Sequence, residues 1–382
     1  MTLSTRIREY ALDLGYDRVG LAPADDFDEF IEALAGRGED YDWWTQGPRD
    51  PLSWGRPREK AGFARSIVVL VYNYARCRFP PELCALMGRV YQSRSYLAPP
   101  TNINGARLGL MRDFLAGEGL TCEDAIWLPQ RWAGVRAGLV SFGKNTCAYA
   151  PGIGSFVLLS TLLVDAELDY DEPGPVSTCP KGCTLCLDAC PTGALREPFT
   201  LVPRRCLPFN AWMTNKERGF GVTDSIPREI RPLMAQRVHG CDACQEACPR
   251  NRKVLAANDA RPRDALLDLL AKELTLEGLL HMPEGYYESR VRPVMYNYIR
   301  DLRFFQRNAA VAIGNTRDLR YLPDLAQELD NPDATIRAHV AWALGQFAGP
   351  CRSPEARRLL SQRQAVEEDA EVAEELRLAL EE

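Results

Sequence analysis

Cys179-Pro-Lys-Gly-Cys183-Thr-Leu-Cys186-Leu-Asp-Ala-Cys190-Pro191, followed after Cys206 by Cys241-Asp-Ala-Cys244-Gln-Glu-Ala-Cys248-Pro249, decides how this chain is read. These stretches hold eight of the thirteen cysteines. Both runs close with C-x2-C-x3-C-P, a spacing used by two-cluster iron–sulfur proteins, in which the last cysteine of each run crosses to the other cluster. Four thiolates per cubane on a tight turn need such close spacing, and the proline then turns the chain away. The spacing predicts two [4Fe–4S] clusters. Cys179, Cys183, Cys186 and Cys248 would hold one, and Cys190, Cys206, Cys241 and Cys244 the other.

Two zinc sites of four cysteines each also use C-x2-C. The paired Cys-Pro endings and the crossing pattern favour the cubanes over zinc. Disulfides fit worse, because no signal peptide precedes these short-range pairs. One irregularity remains: the first spacing is C-x3-C, with Pro180 where a ligand is usual. Cys179 then reaches its iron from a slightly longer loop, or that cluster has a labile ligand. The other five cysteines (Cys77, Cys84, Cys122, Cys147, Cys351) are scattered and read as small core residues.

The 382 residues suit two to three domains. No stretch reaches the roughly 18 apolar residues that cross a bilayer, so a protein of the reducing cytoplasm is expected. A net charge of −6 gives no global attraction to nucleic acid, though a local basic face is not excluded by it. The acidic stretch from Ala365 reads as a solvated helical face.

Thr5–Leu14 and Asn104–Gly117 have helical spacing, while Arg65–Tyr72 is a buried strand and Leu120–Trp127 and Thr146–Leu163 carry strand character. Residues 1–165 are therefore expected to form an α/β domain. Asp- and Pro-rich residues 166–178 lead into a ferredoxin-like cluster domain, 166–255. From 256 to 382 the pattern is helical. Ala309-Ala-Val-Ala-Ile-Gly314 and Val340-Ala-Trp-Ala-Leu-Gly345 lie 31 residues apart and resemble each other, the signature of a HEAT-like stack or of a simple helical bundle. The fold class is α+β, multidomain.

The cluster region resembles the epoxyqueuosine reductase family, corrinoid-dependent iron–sulfur enzymes of tRNA queuosine synthesis. Cys186–Ala194 (CLDACPTGA), Glu197-Pro-Phe-Thr200, Arg204-Arg-Cys206, Arg231-Pro-Leu-Met234, Gly240–Gln245, Cys248-Pro249 with Asn251, and Arg307–Asn315 carry the likeness. Upstream it continues in Ala137-Gly-Leu139, Gly143-Lys-Asn145 and Gly154-Ser-Phe156. The resemblance implies a cobalamin between the α/β and cluster domains, with Lys144, Asn145 and Ser155 as its binding residues, and an external low-potential electron donor. It implies tRNA as partner; Arg290, Arg292, Arg300, Arg303 and Arg307 are the candidates for a basic face.

Two positions depart from the family. Its catalytic aspartate stands three residues before a proline; counted back from Pro129, that place is Ile126. Asp124 lies nearby, and on a strand would share a face with Ile126. Ser93-Arg-Ser-Tyr-Leu97 lacks the family's Asp-Tyr-His. Asp124, Tyr96, Tyr149 and Lys144 are the candidate proton donors. The histidines (His239, His281, His339) are isolated and form no cobalt-ligand signature. Three functions stay open: an epoxyqueuosine reductase, a divergent corrinoid reductase or dehalogenase-like enzyme for a small molecule, and a non-catalytic electron-transfer or corrinoid-activating protein.

Overall fold

The computed structural model describes residues 1–47, 49–96, 103–212, 224–295 and 301–381. They divide into two compact units, each assembled from three separate stretches of chain. The first comprises Met1–Arg78, Ser93–Arg204 and Ala243–Pro262, and the second Phe79–Gln92, Arg205–Asp242 and Arg263–Glu382.

The first unit is organised by β1 (Arg18–Pro23), β2 (Ser66–Asn73), β3 (Cys122–Asp124), β4 (Ser141–Phe142), β5 (Ala148–Tyr149) and β6 (Val157–Val164). The main sheet runs β1-β2-β6-β3, and every pairing in it is antiparallel. Helix and strand signals therefore occur where the sequence places them, but without the parallel crossovers of an α/β domain. Antiparallel pairing follows from β6 returning between β2 and β3.

β2 (SIVVLVYN) is apolar on both pleats because both faces of the sheet are covered. Ile67, Val69 and Val71 pack with Ala125, Leu128, Ala133 and Leu163 on one side. Val68 and Leu70 pack with Ile7, Ala11, Met111 and Leu115, from the helices Leu3–Asp13 and Ile103–Gly117, on the other. Each such buried side chain contributes ~1.5–3 kcal/mol. Leu120–Trp127 yields only the three residues of β3, since the backbone turns after Asp124, where Ala125 N–H donates to Thr161 O at 3.0 Å.

The second unit is helical. The two self-similar stretches fall on the helices Arg303–Thr316 and Ala334–Ala348, which pack together. The Asp330–Ala334 break is a helix cap: the Asp333 carboxylate accepts from Ile336 N–H at 3.1 Å. The acidic C-terminal helix, Ala370–Glu381, is not the wholly solvated face that its composition suggests. Val372, Leu376 and Ala379 are buried, and Glu375 pairs with Arg231 and Arg228. Just before it, Arg337 and Arg363 grip the buried Glu367 and hold its carboxyl down at about 2 against the cost of burial. Among the described residues no helix is long and apolar enough to cross a membrane.

Candidate functional site

The first cysteine set lies wholly within the first unit. The short helices Leu185–Asp188 and Ala243–Glu246, one from each cysteine run, pack on one another. Burial pushes the Cys186 thiol up to about 11, helped by the neighbouring Cys244, Cys248 and Cys179. The fold thus places cysteines of the two runs near one another.

Three side chains expected at a cofactor turn instead to these loops. Lys144 is buried, and its ammonium donates to the carbonyls of Pro180, Lys181 and Cys183 at 2.7, 2.7 and 2.8 Å. An ammonium has three N–H groups, so none is left for the phosphate or amide of a corrinoid tail. Asn145 accepts from Cys147 N–H and donates to the Tyr149 hydroxyl at 3.1 Å and to Cys244 O at 3.3 Å. Ser155 receives Asn251 Nδ2 at 2.8 Å, donates its hydroxyl to Gln245 at 2.9 Å, and gives its backbone N–H to Asn251 Oδ1. Gly154 keeps this contact open, because at φ +81° a Cβ would lie 2.3 Å from Asn251 Oδ1. The motifs Gly143-Lys-Asn145 and Gly154-Ser-Phe156 are therefore clamps on the cysteine turns.

Asp124 is placed elsewhere. It pairs across the sheet with Leu162, and directly opposed residues share a face. Leu162 belongs to the core under the two helices Leu3–Asp13 and Ile103–Gly117. Asp124 accordingly meets Arg112 of the second helix in an ion pair, while burial raises its pKa against the pull of that guanidinium. Ala125 and Leu128 turn to the opposite core. Ile126 stands on the intervening turn, 70 % exposed. The strand ends before Ile126, so the shared face expected for the two residues does not form. Leu97 lies outside the described residues, as does Arg300.

A cavity of about 410 Å³ opens on the Ala125 side of the first unit. Phe30, Leu34, Trp44, Trp132, Phe142 and Phe199 give it apolar walls, and Arg37 and Arg131 lie among them. Ser177, also in its lining, accepts from Cys179 N–H at 3.2 Å, so the cavity borders the loop that opens the first cysteine run. Sequence reasoning missed this site: its aromatic side chains come from four distant stretches with no common spacing.

In the second unit Cys206 and Cys241 are positioned by other means. Val238 and His239 N–H both bond Leu86 O, and Gly88 N–H bonds His239 O. The Asp242 carboxylate accepts from Arg89 N and Nη1 at 2.9 and 3.0 Å. His239 is sealed against Tyr91 and Phe305, and burial drives its imidazole down to about 3. It packs, as its isolation in sequence suggests.

Arg307 corrects the basic-face expectation. It is fully buried, donating to Asn210 O and Ala211 O at 2.9 Å and to Asp224 O. Asn308 bonds Ala211 O and Val238 O, and Asn315 bonds Arg231 O and Ala235 O. One helix thus fastens the segment between Cys206 and Cys241. Arg303 is held by Asp301 and Asp333.

Residues 179–251 match the family of 4Fe–4S double cluster binding domains, and 305–381 match HEAT repeats. The chain is 28 % identical to an epoxyqueuosine reductase of Bacillus subtilis, over 98 % of this chain and 96 % of that one. It is similar in fold to a solved epoxyqueuosine reductase of Bacillus subtilis, with an aspartate-bearing catalytic loop swung out of the active site; the TM-score is 0.81 at 26 % identity, covering 99 % and 98 % of the two chains. A further solved epoxyqueuosine reductase, in complex with an epoxyqueuosine-modified tRNA stem loop, superposes with a TM-score of 0.79 at 25 % identity over 99 % and 98 %.

Proposed function

We infer that this chain, a relative of the epoxyqueuosine reductases from end to end, is an iron–sulfur oxidoreductase of that kind, working with a corrinoid and two [4Fe–4S] clusters on a modified nucleoside in tRNA. The observation that carries the reading is the clamp of Lys144, Asn145 and Ser155 on the turns of the two cysteine runs. Such a clamp fixes a cluster beside the apolar cavity rather than leaving it on a mobile surface loop, which suits delivery of single electrons to a bound acceptor. Cys190, Cys206, Cys241 and Cys244 complete the second set in this reading.

The cavity suits part of a corrinoid: its broad aromatic walls match the faces of a flat macrocycle, and its volume falls within the ~300–1,000 Å³ of small-molecule sites. When bound there, the group would supply a low-potential cobalt centre. The protein's part is to exclude water with Phe30, Trp44, Trp132, Phe142 and Phe199 and to present the cluster across the Ser177–Cys179 wall.

The substrate reading divides at Ile126. Of the acids proposed from sequence, Asp124 is on the far face of the sheet and Lys144 is spent on carbonyls. Tyr149 is buried with its phenol pushed up, so it keeps its proton. An exposed isoleucine at the turn favours a second reading, a reductase of the same build acting on a different molecule, either another nucleoside or a free small molecule. The deciding experiment incubates anaerobically reconstituted protein, cobalamin and a strong reductant with epoxyqueuosine-containing tRNA, then digests the tRNA and analyses nucleosides by mass spectrometry. Conversion to queuosine supports the first reading. Unchanged nucleoside with full iron and bound cobalamin transfers the weight to the second.

A further inference from the structure

A separate set of contacts in the first unit fastens the hairpin that follows Cys190. Its strands are β7 (Leu195–Glu197) and β8 (Thr200–Leu201). The root is built in: Ala194, Leu195 and Val202 are buried, and Val202 N–H donates to Ala194 O at 2.7 Å. The tip, residues 196–199, is exposed. Phe199 sits there at φ +64°, a left-handed conformation that glycine adopts freely and a bulky residue adopts under strain. Its ring lines the aromatic cavity, as does Leu201. The turn thus keeps a phenylalanine where glycine would fit the backbone better, and the ring forms part of the cavity wall.

One short stretch, residues 37–41, ties the tip down. Arg37, just past the helix Asp28–Ala35, donates from Nη1 to Thr200 Oγ1 and from Nη2 to Phe199 O, both at 2.7 Å. The Tyr41 hydroxyl donates to Leu201 O at 3.1 Å. Asp40 pairs with Arg196 at 2.9 Å, but that pair is solvated and contributes little. A further tie comes from within: Phe199 N–H donates to Lys144 O at 2.8 Å. The tip therefore hangs on the backbone of the residue whose ammonium holds the Cys183 turn. Arg37 supplies two of these bonds, both charge-assisted, and itself lies in the cavity lining.

We propose that Arg37 is a positioning residue of the cavity: it latches the hairpin tip so that Phe199 closes the wall over a bound ligand. The ligand is taken from the corrinoid reading above; the latch itself stands apart from it. Release of Arg37 frees the tip about its root at Ala194 and Val202 and opens the cavity for entry and exit.

The test has two readouts on the cluster-reconstituted protein. Hydrogen exchange without cobalamin reads the latch. Arg37→Met should speed exchange of the Phe199 amide about tenfold, equivalent to about 1.4 kcal/mol, and leave the Val202 amide unmoved. Tyr41→Phe removes one neutral bond and should speed it in the same direction but less; this arm stands where Arg37→Met folds poorly. Unchanged Phe199 exchange in both overturns the proposal. Cobalamin dissociation, followed by stopped-flow absorbance, reads the consequence. Arg37→Met and Phe199→Gly should each release cobalamin about tenfold faster. The double variant should release it no faster than Phe199→Gly alone, because Arg37 acts through the ring. Glycine suits the left-handed turn, so that variant keeps the hairpin. Additive effects in the double variant overturn the positioning role. Faster exchange beside unchanged release in every variant refutes the corrinoid reading of the cavity and leaves the latch standing.

Discussion

Replacing Lys144 by methionine should uncouple the first cluster from the protein while leaving the fold in place. The side-chain length is kept and the ammonium is lost. Three carbonyls, of Pro180, Lys181 and Cys183, would then lose donors at 2.7, 2.7 and 2.8 Å in a site where the lysine is only 7 % exposed. A hydrogen bond to a charged group is worth about 1.5–3 kcal/mol net. Three such bonds are not additive; the lower figure for each gives about 4–5 kcal/mol. That matches the ~3–5 kcal/mol typical of removing one partner from a buried charged arrangement. Against a whole-domain stability of ~5–15 kcal/mol, the chain survives. The loop carrying Cys179 and Cys183 should open about a thousandfold more often, at 1.4 kcal/mol per decade. The assay is iron release from reconstituted protein to a ferrous chelator. Wild type should hold about eight irons in two cubanes; Lys144→Met should lose about half of them in a fast phase and the rest at the wild-type rate. Lys144→Arg should not rescue, because a planar fork cannot aim at three carbonyls around one point. Wild-type release kinetics in the methionine variant would refute the clamp.

Arg307→Met should destabilise the second unit by ~3–5 kcal/mol, since the guanidinium serves the carbonyls of Asn210, Ala211 and Asp224 from a fully buried position; denaturant titration should show a lower midpoint, and an unchanged one would return Arg307 to a surface role. Burial and the nearby Arg231 and Arg307 hold the His339 imidazole well below its ordinary 6.5, with Nδ1–H donating to Thr335 O and Nε2 accepting from Ile226 N–H. The unfolded chain therefore binds the extra proton first, and stability should be full above pH 6.5 and fall as the pH drops below it. Unfolding midpoints at pH 7.5 and 5.5 should differ, and less so in His339→Gln; equal slopes would count against the assignment. Ile126→Asp, at a 70 % exposed turn, should cost no more than ~0.5 kcal/mol. It should increase epoxyqueuosine turnover at least tenfold if that turn carries the proton source; no gain in a fully loaded protein would show that the turn does not.

How much of this could be read from sequence depends on how local each signal is. The cysteine spacing is local, and a double-cluster domain is legible in it. The helices around Ala309–Gly314 and Val340–Gly345 were equally legible, because small residues at helical spacing leave a mark within a dozen positions. Lys144 was legible as a residue of interest but not in its role. A glycine-lysine-asparagine turn looks alike whether it meets a phosphate or three carbonyls, and the carbonyls lie nearly forty residues onward. Arg307 misled for a related reason: charge in a sequence reads as surface, while here the backbone of a distant segment supplies the acceptors that make burial tolerable. The antiparallel order of the sheet was hidden in the same way, in which strand returns to which edge.

Asp124 and Ile126 show how a single pleat separates an enzyme's acid from a structural ion pair. Side chains alternate faces along a strand, so a residue two places out of register keeps its face only while the strand continues. β3 stops at Asp124. The carboxylate stays with the Leu162 side, where Arg112 neutralises it, and the turn that follows carries Ile126 outward. Moving the acid from 126 to 124 is therefore not a conservative displacement: it changes the face of the sheet as well as the position. Reduction needs both electrons and protons. The cysteine turns are held by Lys144, Asn145 and Ser155. Asp124, by contrast, is paired with Arg112 on the far face and the Lys144 ammonium is bonded to three carbonyls, so neither of these two brings a proton to the cavity. If the proton comes from solvent or from the substrate itself, Ile126→Asp should leave turnover of the fully loaded protein unchanged, and a gain would contradict that source.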